Sequence, residues 1–347
     1  MRFYTGQHQH YCGVDLHART LYVCVLDSAG KVLVQRNLPA SPDLFLEVIL
    51  PYSDNLVVGV ECMFTWYWLA DLCREAEIPF VLGHALYMKA IHGAKAKNDR
   101  IDAYKIASLL RGGNFPLAYV YPKEWRSTRD LLRRRLYLVR KRGELVSHIQ
   151  NTYYQYNQRA PSAKLRYRSN REGAADPFPD LSVKKTVAVD LSVADHLDQV
   201  LRDLELFLTR RAKVHDADTF HRLRSVPGIG KILAMTILYE VHDIERFARV
   251  QDFASYARLV KCAHESAGKR SGTGGAKIGN VHLKWAFSEA AVLFVRHDPR
   301  AQELLQRLTR KHGKGKALSI LAHKLGRAVY FMLKRNKTFE MDKFMAA

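Results

Sequence analysis

The sequence predicts an α/β domain built on a mixed sheet, followed by a mostly helical region. Three observations support this. Residues 11–34 alternate β-branched and aromatic side chains around a Gly-containing turn, as a strand meander does. Short apolar runs at 56–61 and 79–83 then alternate with helical periodicity at 66–77 and 99–111. Beyond Pro122, residues 123–158 hold one glycine, Gly143, and no proline, as a long helix requires.

YCGVDLH opens the meander and TLYVCVLD follows it. A turn at Ser28-Ala29-Gly30 leads into KVLVQRNL. Residues 42–51 read as a short helix. LVVGVE, nearly continuous in apolar residues, reads as a strand buried on both faces. WYWLADLCREAE has helical periodicity and PFVLG is a further short strand. DRIDAYKIASLLR is an amphipathic helix with Asn98 or Asp99 as its cap. A meander followed by alternating helix and strand is the order of the ribonuclease-H-like fold, and residues 1–122 form this first predicted domain.

Residues 123–219 differ in character. Leu131, Leu138 and Leu145 recur at heptad spacing, and Lys123 to Arg142 carries nine Lys/Arg against two acidic residues. A loop at 160–182 and a second long helix at 190–219 complete an expected antiparallel coiled-coil arm. Residues 220–347 form a third, mostly helical domain. It contains Pro227-Gly228-Ile229-Gly230 at a helix entry and a Gly/Ser/Lys-rich loop at 264–280. A helix follows from about His282, and the stretch 315–336 is again helical and basic.

The chain has 347 residues and a formal net charge of +21, with a pI near 9.8. That excess predicts attraction to a polyanion. No apolar stretch reaches the length of a membrane span, and MRFYTGQHQHY lacks the apolar core of a signal peptide. Nucleic acid is therefore the expected partner, with no membrane role. The five cysteines are odd in number and lack C-x-x-C spacing, which fits a reducing cytoplasm and argues against zinc or a disulfide framework.

Four carboxylates carry the chemistry. Asp15 lies in the first strand, Glu61 ends the central strand, and Asp99 and Asp102 share one helix face at i and i+3. Hard oxygen ligands on three elements at one sheet edge suit magnesium, and a pair of such ions serves phosphodiester chemistry. Taken singly, each has a blander role: Asp99 as a helix cap, Asp102 as a partner of the helix dipole, Asp15 and Glu61 as turn residues. Their combination with the strand order and the basic charge favours metal. In the helical part, Gly228 and Gly230, with Lys231 beside them, suit close approach of backbone N–H groups to a phosphate. Arg133, Arg134, Arg135, Arg140, Lys141 and Arg142 form the densest basic block, followed by Tyr153, Tyr154 and Tyr156, a pattern that suits phosphate pairing and base stacking. In His264-Glu265-Ser266-Ala267-Gly268-Lys269 a serine could act as a nucleophile with Lys269 or a metal easing its alkoxide, but by composition alone Ser266 is an ordinary loop serine, and with Ser271, Thr273 and the glycines the segment, Lys269 included, fits a nucleic-acid-binding loop equally well.

Together, GVDLHARTLYVCVLDSAGKV, the GVE strand, KNDRIDAYKIA, the PGIG segment and HESAGK followed by KIGNVHLKWAFSEAA resemble the DEDD insertion-sequence transposases. These are the RNA-guided bridge recombinases, related to pilin-gene invertases. The resemblance spans nearly the whole chain. It implies a RuvC-like first domain in which Asp15, Glu61, Asp99 and Asp102 are the ligands of Mg²⁺, with Mn²⁺ as a substitute. It implies a C-terminal transposase domain in which Ser266 is the nucleophile that joins transiently to a DNA phosphate. It also implies a homodimer or homotetramer with a composite site, and a structured noncoding guide RNA that pairs with donor and target DNA. The chain departs from many relatives at Lys261-Cys262 and around the serine, so the register rests on Ser266 in His-x-Ser-x-Gly, with Ser271 as the fallback. The alternative is a metal-dependent endonuclease of Holliday-junction type without a covalent intermediate. A non-catalytic nucleic-acid scaffold using only the basic arm is a third reading.

Overall fold

A computed structural model describes residues 2–91, 98–266, 269–274, 278–296 and 298–346. The chain divides into two compact units, Met1–Lys123 and Glu124–Ala347.

The first unit is built on a five-stranded sheet. A short strand β1 (Phe3–Tyr4) precedes the expected meander of β2 (His10–Leu16), β3 (Thr20–Asp27) and β4 (Val32–Pro39). Helix α1 (Pro42–Ile49) and a 3₁₀ turn lead to β5 (Leu56–Glu61), which lies parallel to β2. Helix α2 (Tyr67–Glu75) leads to β6 (Phe80–Gly83), parallel to β5. The sheet order is therefore β4-β3-β2-β5-β6, antiparallel on one side and parallel on the other, the mixed sheet expected. Helices α3 (Ala85–Ile91) and α4 (Asp99–Arg111) follow, and β7 (Phe115–Pro116) pairs with β1 in a ribbon that sequence patterning did not indicate.

One face of this sheet packs Val14, Val23, Val58 and Val60 with Phe45 and Leu69 of α1 and α2. The other carries α4, whose Ala103 and Ala107 pack on Cys24 and Leu26. The approach of α4 is close because β2 presents Gly13 there, paired across the sheet with Gly59 of β5. A Cβ on Gly13 would stand 2.2 Å from the Ala103 carbonyl oxygen and 2.4 Å from the Ala107 nitrogen. These are backbone atoms that cannot swing aside. Gly13→Ala is thus expected to destabilise the first unit by about 3 kcal/mol through overpacking, read as a lowered urea midpoint. Cys12, Cys24 and Cys73 are buried as core residues, and burial pushes the Cys73 thiol up to about 12.

The second unit is helical. Helix α5 (Lys123–Gln155) and helix α6 (Leu181–Arg224) run antiparallel, since Arg135 pairs with Glu205, Arg142 with Asp198 and His148 with Asp190. Helix α6 starts nine residues before the expected 190, because Asp180 caps it by accepting from the Ser182 and Val183 nitrogens. It breaks at Asp216, whose side chain recaps the continuation through the Thr219 nitrogen. Helix α7 (Lys231–Val241) is buried from Leu233 onward and packs against α6 and α9 (Val281–Phe294). It shares one core with α8 (Val250–Tyr256), α9, α10 (Pro299–His312), α11 (Lys314–Lys334) and α12 (Met341–Ala346).

The loop expected at 264–280 is instead largely a hairpin. Strands β8 (Cys262–Ser266) and β9 (Lys269–Gly274) pair antiparallel, while 267–268 and 275–277 lie outside the described residues. Its Gly, Ser and Lys content hides the period-2 apolar signal, yet a ladder of backbone hydrogen bonds needs no apolar side chains. Among the described residues, no helix is long and apolar enough to cross a membrane.

Candidate active site

The parallel register pairs Gly13 with Gly59 and Val14 with Val60, so the next residues along β2 and β5 are Asp15 and Glu61. Side chains alternate along a strand, so both carboxylates leave the face that Gly13 and Gly59 open to α4. The glycine pair therefore lets α4 lie close, and its first turn then comes beside Asp15. Asn98 caps α4 by accepting from the Ile101 nitrogen at 2.8 Å. Because Asn98 does the capping, the carboxylates of Asp99 and Asp102 are left for other partners. Arg100 Nε donates to Gln35 Oε1 at 2.9 Å and ties the same turn to β4.

His17, just beyond the end of β2, bridges the two elements. Its Nε2 lies 3.5 Å from Asp15 Oδ2 and 3.5 Å from Asp99 Oδ1. Donor atoms of Asp15, His17 and Asp99 all lie within 4.8 Å of one another. Opposite ligands of an octahedral ion with bonds of about 2.1 Å stand about 4.2 Å apart. A small movement of these partly exposed side chains would close the set on one divalent ion, so the donor chemistry fits a metal. Asp102 sits one turn along α4 with its Oδ1 3.3 Å from Lys105 Nζ. The structure thus joins Asp15 to Asp99, sets Glu61 beside Asp15 by register, and gives Asp102 a lysine partner. Sequence reasoning missed His17, although Asp-x-His at a strand end was the available signal.

Residues 12–157 match the DEDD transposase domain of IS110 elements, and residues 220–306 match the Transposase IS116/IS110/IS902 family. The chain belongs to the IS110/IS1111 transposase family. The transposase for insertion sequence element IS1111A of Coxiella burnetii is 25% identical over 334 residues, covering 94% of this chain and 90% of that protein. The transposase for insertion sequence element IS1328 of Yersinia enterocolitica is 25% identical over 152 residues, 42% of this chain and 43% of that protein. Members of the family are DNA strand-transfer enzymes, and a DEDD nuclease domain implies a divalent metal.

In the C-terminal unit of the transposase, Ser266 is the last residue of β8, and its backbone is paired with Lys269 across the hairpin. Ser271 lies in β9. The chain leaves and re-enters the helical bundle at one clamped point. The Asn280 nitrogen donates to the Tyr256 carbonyl at 2.6 Å, and Arg258 Nε donates to the Gly279 carbonyl at 3.0 Å. Asn280 also caps α9 through the His282 and Leu283 nitrogens and donates its Nδ2 to Glu240 Oε2 at 2.7 Å.

Glu240 is a buried carboxylate on α7. It accepts from Arg133 Nε at 2.6 Å and from Arg129 Nη2 at 2.9 Å. Burial alone would raise its pKa, but the hydrogen bond from Arg133 and the charges of Arg129 and Arg133 outweigh it, holding the carboxyl near 2. The basic block expected to meet nucleic acid is therefore mixed in use. Arg133 serves Glu240, Arg135 serves Glu205, Arg142 serves Asp198 and Lys141 serves Glu144. Arg134 stacks over Tyr137 at 4.6 Å, and Arg134 and Arg140 are exposed. In the PGIG turn, Gly228 has φ +85°, and a Cβ there would stand 2.6 Å from the Phe294 nitrogen, so this glycine lets the turn pack on α9. Gly230 is the exposed N-cap of α7, and Lys231 beside it is exposed too.

Proposed function

We propose that this transposase cuts and rejoins DNA through a covalent serine ester, with a structured noncoding RNA selecting donor and target. The observation that carries the catalytic half is the meeting of Asp15, His17 and Asp99 at the sheet edge where Glu61 ends β5. Asp15, Glu61, Asp99 and Asp102 are the proposed ligands of Mg²⁺ or Mn²⁺, with His17 bridging two of them. A divalent ion bound there would offset negative charge on the reacting phosphate oxygens. Ser266, at the end of β8, is the proposed nucleophile. Its Oγ forms a bond to phosphorus, the bond from phosphorus to the bridging oxygen of the cut strand breaks, and the hydroxyl proton ends on that leaving oxygen. Attack by a strand hydroxyl on the ester reverses these changes, returns the proton to Ser266 and seals the new junction. Bond energy is conserved, so ATP is not needed, in keeping with the lack of a Walker-type loop in the sequence.

The family resemblance supports the remaining assignments. Arg134, Arg140, Lys141, Gly230, Lys231 and Lys269 are proposed to contact nucleic-acid backbone, the first three from an arm formed by the α5–α6 pair. Arg133, Arg135, Arg142 and Gly228 are proposed to support that surface from their intramolecular contacts. The working unit is a homodimer or homotetramer acting on DNA in the bacterial cytoplasm.

Covalent trapping tests this. Protein, Mg²⁺, the RNA flanking the element and labelled donor and target DNA are incubated, denatured and resolved on a gel. A labelled protein–DNA adduct is expected with the native chain and is expected to vanish in Ser266→Ala. Equal cleavage by both proteins with no adduct would overturn the serine ester and leave a two-metal nuclease that uses water.

A further inference from the structure

A second basic site lies on the helical unit. The segment between α5 and α6 is a folded cap. Leu165, Ala174 and Phe178 from it share a small core with Ile149 and Tyr153 of α5 and Val183 and Val187 of α6. Its fixing point is Arg171, whose side chain is 4% exposed. Arg171 Nε donates to the Leu165 carbonyl at 2.8 Å and Nη2 to the Arg166 carbonyl at 3.2 Å. Its Nη1 pairs with Asp195 Oδ1 at 2.6 Å and Asp198 Oδ2 at 2.8 Å on α6. One buried guanidinium thus holds the backbone of 165–166 against α6 and sets the position of the residues that follow.

Those residues wall a cleft of about 440 Å³, lined by Arg142, Arg166, Tyr167, Arg168, Asp198 and Arg202. Four guanidiniums face one carboxylate. Asp198 is already paired by Arg142 and Arg171. Arg168 has Asp195 only at 3.6 Å. Arg166 sits over the Tyr167 ring, 4.6 Å from its centroid, and donates to the Tyr167 hydroxyl at 2.6 Å, and it has no carboxylate partner among the described residues. Arg202 makes no ion pair among the described residues either. Like charges gathered on a buried anchor repel one another, and an anion relieves that repulsion. Guanidiniums present forked donors that match phosphate oxygens.

We infer that this cleft is a phosphate-binding site for the backbone of a nucleic acid, held at the capped end of the α5–α6 pair. Contacts of this kind set position on a strand and carry no base preference. None of its lining residues belongs to the DEDD set, and it shares only Arg142 with the basic block at 133–142. It uses none of the proposed catalytic groups.

The test is the salt dependence of binding by the full chain, made in EDTA so that metal-dependent cleavage plays no part. The probes are a DNA duplex and an RNA hairpin of arbitrary sequence, followed by fluorescence anisotropy. Arg166→Gln with Arg202→Gln is compared with Lys185→Gln plus Lys337→Gln, a charge-matched pair of exposed residues outside the cleft. The cleft variant is expected to lower the slope of log K against log salt by roughly one to two, and to weaken binding about tenfold at ~0.15 M salt. The matched pair is expected to change the slope by less than half as much. A change confined to RNA or to DNA identifies which backbone sits in the cleft, and a change with both assigns the shared phosphodiester. Equal changes in the two variants, or none in either, would overturn the site. Both cleft side chains are exposed and outside the structural ion pairs, so an unchanged thermal midpoint is expected. A lowered midpoint moves the test to Arg166→Lys with Arg202→Lys, for which a retained slope and weaker binding are expected and native binding would overturn the site.

Discussion

Asp15→Asn is expected to reduce DNA strand cleavage by at least about a thousandfold while leaving the first unit folded. Asn keeps the size of the side chain and removes its charge. Asp15 stands with His17 and Asp99 in a group whose donor atoms lie within 4.8 Å of one another, and next to Glu61 by strand register. Losing several kcal/mol of charge stabilisation, taken as about 4, corresponds to ~10³ in rate. The fold should tolerate the change, because Asp15 is partly exposed and its neighbour Glu61 carries the same charge. Single-turnover cleavage of labelled DNA, run beside a thermal melt, measures both. Asp71→Asn serves as the comparison: Asp71, on α2, pairs with Arg74 and Lys123, and its loss should alter cleavage by less than about twofold. A loss under tenfold for Asp15→Asn would place that residue outside the reacting centre.

Glu240→Ala carries the largest expected effect on stability, about 3–5 kcal/mol. Glu240 joins three helices, since Arg129 and Arg133 belong to α5 and Asn280 caps α9. Removing the carboxylate takes a charged acceptor from two guanidiniums and an amide in a place where Arg129 is only 12% exposed. The same group governs acid stability. Its folded pKa, near 2, lies below the ordinary 4.5, so its contribution is complete above pH 4.5 and is lost as pH falls through about 2. The size of that contribution is about 3 kcal/mol. Urea midpoints across pH should therefore fall steeply for the native chain below pH 4.5 and less steeply for Glu240→Ala. Because Asn280 also closes the base of the hairpin that carries Ser266, the variant should lose strand transfer at temperatures where it is still folded. Identical acid profiles for the two proteins would remove Glu240 from this role.

Much of the first unit was legible because its signals are local. Alternating residues mark β2, β3 and β4, the unbroken apolar run marks β5, and Asn98 marks the start of α4. The carboxylates were also legible as residue types at element ends. Their meeting at one sheet edge was expected from the element order, but the device behind the approach of α4 was not, because it depends on the Gly13–Gly59 pair that lets α4 lie against the sheet. His17 was missed for the same reason: its two partners come from opposite ends of the unit. In the second unit, the basic block read as uniform because sequence spacing carries no partner information. Arg133 finds Glu240 107 positions away, and that contact decides its use. The β8–β9 hairpin read as loop because Gly and Ser suppress the side-chain pattern while the backbone still pairs.

Asp15 and Asp99, bridged by His17, are proposed to hold a divalent ion at the sheet edge. Binding of Mn²⁺ to the full chain, followed by loss of the free-ion EPR signal, tests it without any DNA. The native chain is expected to bind Mn²⁺, and Asp15→Asn and Asp99→Asn are each expected to weaken that binding at least about tenfold, since each removes a charged oxygen donor. An unchanged Mn²⁺ affinity in both variants would contradict it.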